Sequence, residues 1–336
     1  MDLSIILVNY KSPQLVLDCV QSIYNQTSKI SFELLIVDNA SGDNSKEIIG
    51  NKFPEIKWIQ LDYNAGFARG NNAAIKVANG ELILLLNTDT IVLDNALEKA
   101  VALFRKEKDI AACGVQLLNT DGSHQISGAH FVKGGLNLLL PLPYLGKFIR
   151  YWGYKLKTRV PSITSIEDKV AIDWIVGAFI LTSKHIIEKA GMLDEDFFMY
   201  AEEIEWCSRL KKQGDMYLFS EPKIIHIGGG TSGDFYDTTE SENGKNLWNR
   251  KGRQVLVSLV LRIRKQYGLL WYFIMLFILT VETIIFPIGL LFENILRFGK
   301  AKYQWLSVKN YFVNVLYVYK YLPKMILNKP FFYKVS

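Results

Sequence analysis

The stretch ELILLLNTDT, Glu81 to Thr90, decides the fold. Leu82 to Leu86 are apolar without alternation, which predicts a strand buried on both faces, as in a parallel sheet covered by helices. The run stops on Asn87, Thr88 and Asp89. Open α/β sheets gather their ligands at the carboxyl ends of strands, and a carboxylate there is a hard oxygen ligand for a divalent cation. The stretch therefore reads as part of an enzyme.

Upstream, Leu3 to Val8 reads as a buried strand, and Ser12-Pro13 as the start of a helix carrying Leu15, Val16, Cys19, Val20 and Ile23 on one face. Phe32 to Val37 is a second strand ending at Asp38, followed by a short helix near Ser45 to Ile49 and a third strand around Lys57 to Leu61. A helix from about Phe67 to Val77 leads into the Glu81 strand. Strands alternating with helices predict a mostly parallel sheet with right-handed crossovers. Asn9, Asp38 and Asp89 should then share one edge, a suitable place for a nucleotide. Downstream, a helix over 94–105 and a strand over 111–118 complete this half. Residues 122–161 look irregular and hold five basic residues among aromatics from Lys147 to Arg159, as expected of a lid or a membrane-touching loop. A strand follows over 171–182, then helices near 184–190 and 202–213, and two short strands at 216–219 and 223–227.

With 336 residues, 49% of them apolar, the chain can bury one large core and carry an appendage, so disorder is not the default. A net charge of +6 is mild, but after Glu293 there are eight Lys or Arg and no Asp or Glu. Their aromatic and aliphatic neighbours favour an anionic membrane surface over nucleic acid. Cys19, Cys113 and Cys207 show no zinc spacing and read as reduced core thiols. The opening MDLSIILVNY has no basic leader, so the catalytic part is expected to face the cytoplasm. Leu269 to Phe292 is long enough to span a bilayer but contains Glu282 and Pro287, with basic flanks on both sides. A charge at the bilayer centre costs roughly 2.5 to 3.5 kcal/mol. The segment is therefore expected to form a re-entrant or in-plane hairpin, ahead of a single span or a helix pair at a dimer interface.

Four groups of residues carry candidate chemistry. Asp38 ends a strand, and the turn after it should leave the carboxylate free for the donors of a base or ribose. Asn64 to Asn72, NAGFARGNN, is a small-residue turn into a helix, where Gly66 permits close backbone approach and Arg69 supplies a cation for phosphate. Asp89 is a candidate ligand for Mg²⁺ or Mn²⁺, with His226 in IIHIGG as a neutral imidazole partner. Glu202 and Glu203, in DEDFFMYAEEIEWCSR, are adjacent carboxylates among aromatics, an environment expected to raise the pKa of one into a general base's range.

The succession VNYKS, LLIVDNASGD, NAGFARGNNAAI, LLLNTDT, WIVGAFILTS, DEDFFMYAEEIEWCSR and IIHIGG resembles the inverting family 2 glycosyltransferases of GT-A fold, particularly the bacterial rhamnosyltransferase-like branch, over about residues 3–230. The resemblance implies a nucleotide diphosphate sugar donor, Mg²⁺ or Mn²⁺, and a single inverting displacement. By motif, Asn9, Tyr10, Asp38, Gly66 and Arg69 would hold the donor. Asn87 and Asp89 would occupy the metal-binding DxD position. Trp174 would join the donor site, in a segment, 173–178, that lines the acceptor side. Glu203 would be the base with Glu202 beside it, and His226 a second metal ligand. Two departures stand out: Asn87 replaces the first Asp of DxD, and Glu202-Glu203 replaces Glu-Asp. The acceptor implied is a lipid-linked or growing surface polysaccharide at the cytoplasmic face of the inner membrane, with homo-oligomerisation left open. The expected domains are 1–245, with a nucleotide-sugar half (1–120) and an acceptor half (121–245), and a membrane-associated helical region, 246–336. A nucleotidyltransferase or NAD-dependent oxidoreductase would need a glycine-rich loop where this chain has NYKSPQ. The competing reading of another class is a non-catalytic membrane scaffold.

Overall fold

The computed structural model of the chain describes residues 1–155, 162–228 and 246–335. Among these, residues 1–131, 162–198 and 202–228 form one compact unit, and residues 132–155, 199–201 and 246–335 form another. The expected domain boundary at 245 falls beside residues 229–245, outside the described ones.

The first unit is built on β1 (Leu3–Asn9), α1 (Pro13–Gln26), β2 (Phe32–Asp38), α2 (Ser45–Lys52), β3 (Lys57–Gln60), α3 (Gly66–Ile75) and β4 (Leu82–Leu86). After these come β5 (Thr90–Val92), α4 (Ala96–Lys106), β6 (Ile110–Leu118) and the short β7 (Gly128–Ala129). Beyond α5 (Leu145–Lys155), which belongs to the second unit, lie β8 (Ser162–Ile163), β9 (Lys169–Ala171), β10 (Trp174–Ile175), β11 (Phe179–Ser183), α6 (Lys184–Ala190), α7 (Glu202–Leu210) and β12 (Asp215–His226). The main sheet runs β3-β2-β1-β4-β11-β6-β12-β5, with β9 on β12, and β10-β7-β8 form a second small sheet. The β3-β2-β1-β4 side is parallel. β11 is antiparallel to both β4 and β6.

Alternation along these strands divides the core into two layers. Leu3, Ile5, Leu34, Ile36, Leu82 and Leu84 pack on one face with Val16, Cys19 and Val20 of α1 and Leu97 and Val101 of α4. Ile6, Leu35, Val37, Ile83 and Leu85 pack on the other with Ala68 and Ala74 of α3 and Trp206, Cys207 and Leu210 of α7. Helices on both faces explain why β4 is apolar throughout. All three cysteines are free and buried, as expected of core thiols. Burial pushes the Cys19 and Cys207 thiols up to about 12.

Two expectations are corrected. The single strand expected over 171–182 is three short strands in two sheets, because the chain bends at Asp173 and turns at Gly177–Ala178 before β11. The two strands expected at 216–219 and 223–227 are one strand, β12, whose register slips between Phe219 and Lys223 around Pro222. A proline at a bulge leaves no ladder donor missing.

Among the described residues the second unit holds α5 and the helices α8 (Arg250–Leu296), α9 (Trp305–Lys320) and α10 (Leu322–Leu327). In α8 the helix breaks at Gly268, φ +84°, and resumes through residue 296 without interruption at Pro287. The hairpin expected within 269–292 is therefore a single helical stretch, about 42 Å long over 269–296 at 1.5 Å per residue. One face of it, with Tyr272, Met275, Leu279, Phe286 and Leu290, is buried. The other exposes Leu270, Phe273, Phe277, Ile284, Ile288 and Leu291. Glu282 does not lie on the exposed stripe. It is fully buried and accepts from the backbone N–H groups of Tyr144 (3.1 Å) and Leu145 (3.3 Å), at the start of α5. A helix start supplies unpaired N–H donors, which is why a carboxylate is tolerated there.

Candidate active site

β1 and β2 pair in parallel with Asn9 opposite Asp38, and β4 runs parallel to β1, so Asn9, Asp38 and Asn87–Asp89 emerge on one rim. The Asp38 carboxylate is not free, contrary to expectation. Its Oδ2 accepts from Asn9 Nδ2 (2.7 Å) and Ser41 Oγ (2.6 Å), and its Oδ1 from Ser41 N (2.9 Å) and Gln60 Nε2 (2.8 Å). All four donors are neutral. A nucleoside reaching Asp38 must displace or share one of them. Tyr10 follows Asn9, half-buried, with the Lys11 ammonium 5.6 Å from its ring centroid.

The next residue, Asn39, organises the turn before α3 and was not singled out from sequence. Its Oδ1 accepts from Ala65 N (3.0 Å) and its Nδ2 donates to Gly66 O (2.9 Å). Gly66 has φ +77°, and a Cβ there would collide with the Phe198 carbonyl oxygen. Only glycine fits. Phe67 N donates to that same carbonyl at 2.9 Å. Arg69 Nε donates to Glu195 O (2.9 Å) and Nη1 to Tyr63 Oη (3.1 Å), while Asn72 holds Leu193 through both its amide atoms. The NAGFARGNN turn is thus stitched to residues 193–198, which lead toward α7.

β5 pairs antiparallel with the end of β12, Thr90 opposite His226, and Ile227 N donates to Asp89 O at 2.9 Å. This brings His226 Nε2 to 3.5 Å from Asp89 Oδ1, across 137 residues of sequence. His226 Nδ1 lies 2.8 Å from Gln125 Oε1, a residue that carried no signal in the sequence. Asn87, two residues before Asp89, donates its N–H to Ala178 O (3.1 Å) and accepts at its carbonyl from Thr90 Oγ1 (2.7 Å). Among the described residues no group of three or more His, Cys, Asp or Glu side chains converges as a closed metal site. Asp89 and His226 face each other. An oxygen and an imidazole nitrogen so placed would suit a divalent cation.

Glu202 and Glu203 open α7, directly after Tyr200 and Ala201, both at positive φ (72° and 67°). Non-glycine residues at positive φ are costly and persist where the surroundings enforce them. Glu202 is buried and Glu203 half-buried. The Glu203 side chain packs over Gly177: a Cβ on Gly177 would stand 3.6 Å from Glu203 Cγ and 4.0 Å from Phe67 Cζ. Gly177 precedes Ala178, whose carbonyl holds Asn87 N, so Glu203 neighbours the loop tied to the rim. Trp174 sits on β10, paired with Ala129 of β7, and packs against the core layer that contains Trp206.

Residues 4–173, about half of the chain, match the family described as Glycosyl transferase family 2. The low-salt glycan biosynthesis hexosyltransferase of Haloferax volcanii is 28% identical over 221 residues, 63% of this chain and 62% of that protein. The O-antigen biosynthesis protein RfbC of Myxococcus xanthus is 26% identical over 231 residues, 66% of this chain and 17% of that protein. The chain thus spans less than two thirds of the length of these curated relatives. In fold it is similar to the crystal structure of GalNAc-T7 with UDP, GalNAc and Mn²⁺, with TM-score 0.52 and 15% identity over 80% of this chain and 51% of the other. The helix-covered, mostly parallel mixed sheet and the polar rim agree with these matches: the chain belongs to glycosyl transferase family 2.

Proposed function

We propose that the chain transfers a hexosyl or rhamnosyl group, with inversion, from a nucleotide diphosphate sugar to a hydroxyl of a lipid-linked or growing surface polysaccharide. The observation that carries this reading is the pairing of Asp89 with His226 at 3.5 Å on the rim whose Asn87 also anchors the Gly177–Ala178 loop against Glu203. Asp89 and His226 are the residues to hold Mg²⁺ or Mn²⁺, which when bound supplies positive charge to the departing diphosphate. Asn9, Tyr10 and Asp38 hold the nucleoside, the Gly66 turn lets its backbone approach, and Arg69 adds charge on the phosphate side. Glu203 takes the proton of the acceptor hydroxyl as that oxygen bonds to the anomeric carbon. The glycosidic bond to the diphosphate breaks with its electron pair leaving on the phosphate oxygen. Glu202 adjoins the base, and Trp174 and its loop line the sugar. Relatives named for glycan and O-antigen biosynthesis support a polysaccharide acceptor.

The second unit supports membrane association. A stripe of six large exposed apolar residues runs along α8 with no charged residue in it, a pattern that marks a protein or membrane contact. Its opposite face is buried, which suits a helix lying in one leaflet rather than crossing it. Basic residues 297, 300 and 302 follow its end, favouring anionic lipid on the inner, cytoplasmic leaflet.

Incubating the full chain with Mn²⁺ and UDP-hexoses or dTDP-rhamnose, with and without a polysaccharide acceptor, tests the activity. Release of nucleotide diphosphate that depends on Mn²⁺ and is lost in Glu203→Gln supports it. Release that persists unchanged in that variant contradicts it. Co-flotation with anionic vesicles, weakened in Phe277→Glu, tests the membrane seat.

A further inference from the structure

We propose that Gln125, outside every motif of the family resemblance, is a positioning residue that fixes the tautomer of His226 and so makes Nε2 a cation ligand. The amide is oriented by its surroundings. Its Nε2 donates to the backbone carbonyl of His226 (2.9 Å) and to Asn119 Oδ1 (2.8 Å). A backbone carbonyl can only accept, so the nitrogen must face it, and Oε1 is the atom left facing His226 Nδ1 at 2.8 Å. An acceptor at that distance requires the proton on Nδ1. The neutral ring then presents a lone pair at Nε2, pointing toward Asp89 Oδ1 3.5 Å away. Two acceptors at this separation gain by sharing a cation. Gln125 itself is fixed from behind, since Asn119 also donates to Ser123 Oγ (2.9 Å) and Gln125 N donates to Leu117 O (2.8 Å) at the end of β6. Gln125, held to the end of β6, thereby orients a ring on β12, 101 residues away.

This inference rests on the cation reading of Asp89 and His226. Its test reads the ring directly and without metal. Nitrogen-15 imidazole spectra of the full chain, with the His226 signals identified by their loss in His226→Gln, should show Nδ1 protonated and Nε2 unprotonated in the metal-free wild type. In Gln125→Leu the proton should move to Nε2, where the Asp89 carboxylate accepts it. Mn²⁺ affinity in the presence of UDP, measured by electron paramagnetic resonance, should fall roughly 10- to 100-fold, the usual effect of removing a group that orients a metal-ligating histidine. A wild-type ring protonated on Nε2, or on both nitrogens, would overturn the inference even if Gln125→Leu does not fold. So would a Gln125→Leu protein with unchanged tautomer and unchanged Mn²⁺ affinity. Failure of the wild type to bind Mn²⁺ with UDP would instead sink the cation reading, and is told apart because the tautomer is measured before metal is added.

Discussion

The two ends of the parallel strands handle charge in different ways. At the amino ends, carboxylates meet cations: Glu33 pairs with Lys57 at 2.5 Å, and Arg105 bridges Asp2 (2.7 Å) and Glu81 (2.8 Å). Glu33 also accepts from Ser4 Oγ and from the backbone and side chain of Asn79. At the carboxyl ends, Asp38 is held by amide and hydroxyl donors alone, and Asp89 faces an imidazole. The first arrangement neutralises charge and fastens strands. The second holds Asp38 through neutral amide and hydroxyl donors and sets Asp89 beside an imidazole, which suits a rim if the cation arrives with the substrate.

Substitutions can break this contrast. The largest effect is expected at Glu203→Gln, which should lower turnover by about 10²- to 10⁴-fold, the share of a general base, while the melting temperature stays within a degree or two. Steady-state kinetics beside calorimetry would show it. An equal loss of stability would make Glu203 a structural residue like Glu33. Asp89→Asn should follow, with transfer lowered by roughly 10²-fold and the Mn²⁺ requirement shifted to higher concentration, again with the fold intact.

Stability should respond elsewhere. Gly66→Ala forces a Cβ into the Phe198 carbonyl at positive φ, and should cost on the order of 3 kcal/mol in urea unfolding, with donor affinity lost as the 193–198 contact opens. Glu33→Gln should cost about 1 to 3 kcal/mol and leave the KM for donor unchanged. Burial alone would raise the Glu33 carboxyl, but the hydrogen bonds from Lys57, Ser4 and Asn79 outweigh it and hold the group down at about 2. A depressed carboxylate stabilises the fold fully above its unfolded pKa of about 4.3, and that contribution fades as pH falls toward 2. Stability measured between pH 5 and 2 should therefore drop less steeply in Glu33→Gln than in the wild type.

The strands are more legible in the sequence than the partners of the rim residues. Strands buried on both faces announce themselves as apolar runs, so β1, β2 and β4 and their shared rim follow from Leu3–Val8, Phe32–Val37 and Leu82–Leu86. The β9–β11 and β12 boundaries did not, because Gly177 turns the chain inside an apolar stretch and Pro222 sits in a bulge rather than at a strand end. At the site, Asp89 and His226 stand out by residue type at strand ends, and Gly66 by its turn. Gln125 has no such signature: its role comes from pairing across 101 residues, in a segment without periodicity. Asp38 was misread in one respect, since the turn that makes it conspicuous also supplies Ser41 to occupy it. Glu282 looked like a charge in a bilayer because the sequence does not reveal that the start of α5 covers it.

The most direct test of the rim is diffraction from crystals of the full chain grown with UDP and Mn²⁺, collected at a wavelength where manganese scatters anomalously. One anomalous peak within coordination distance of Asp89 Oδ1, His226 Nε2 and the diphosphate oxygens, with Glu203 facing the sugar side, is the predicted result. A diphosphate bound away from Asp89, or a manganese peak that touches neither Asp89 nor His226, would contradict the account.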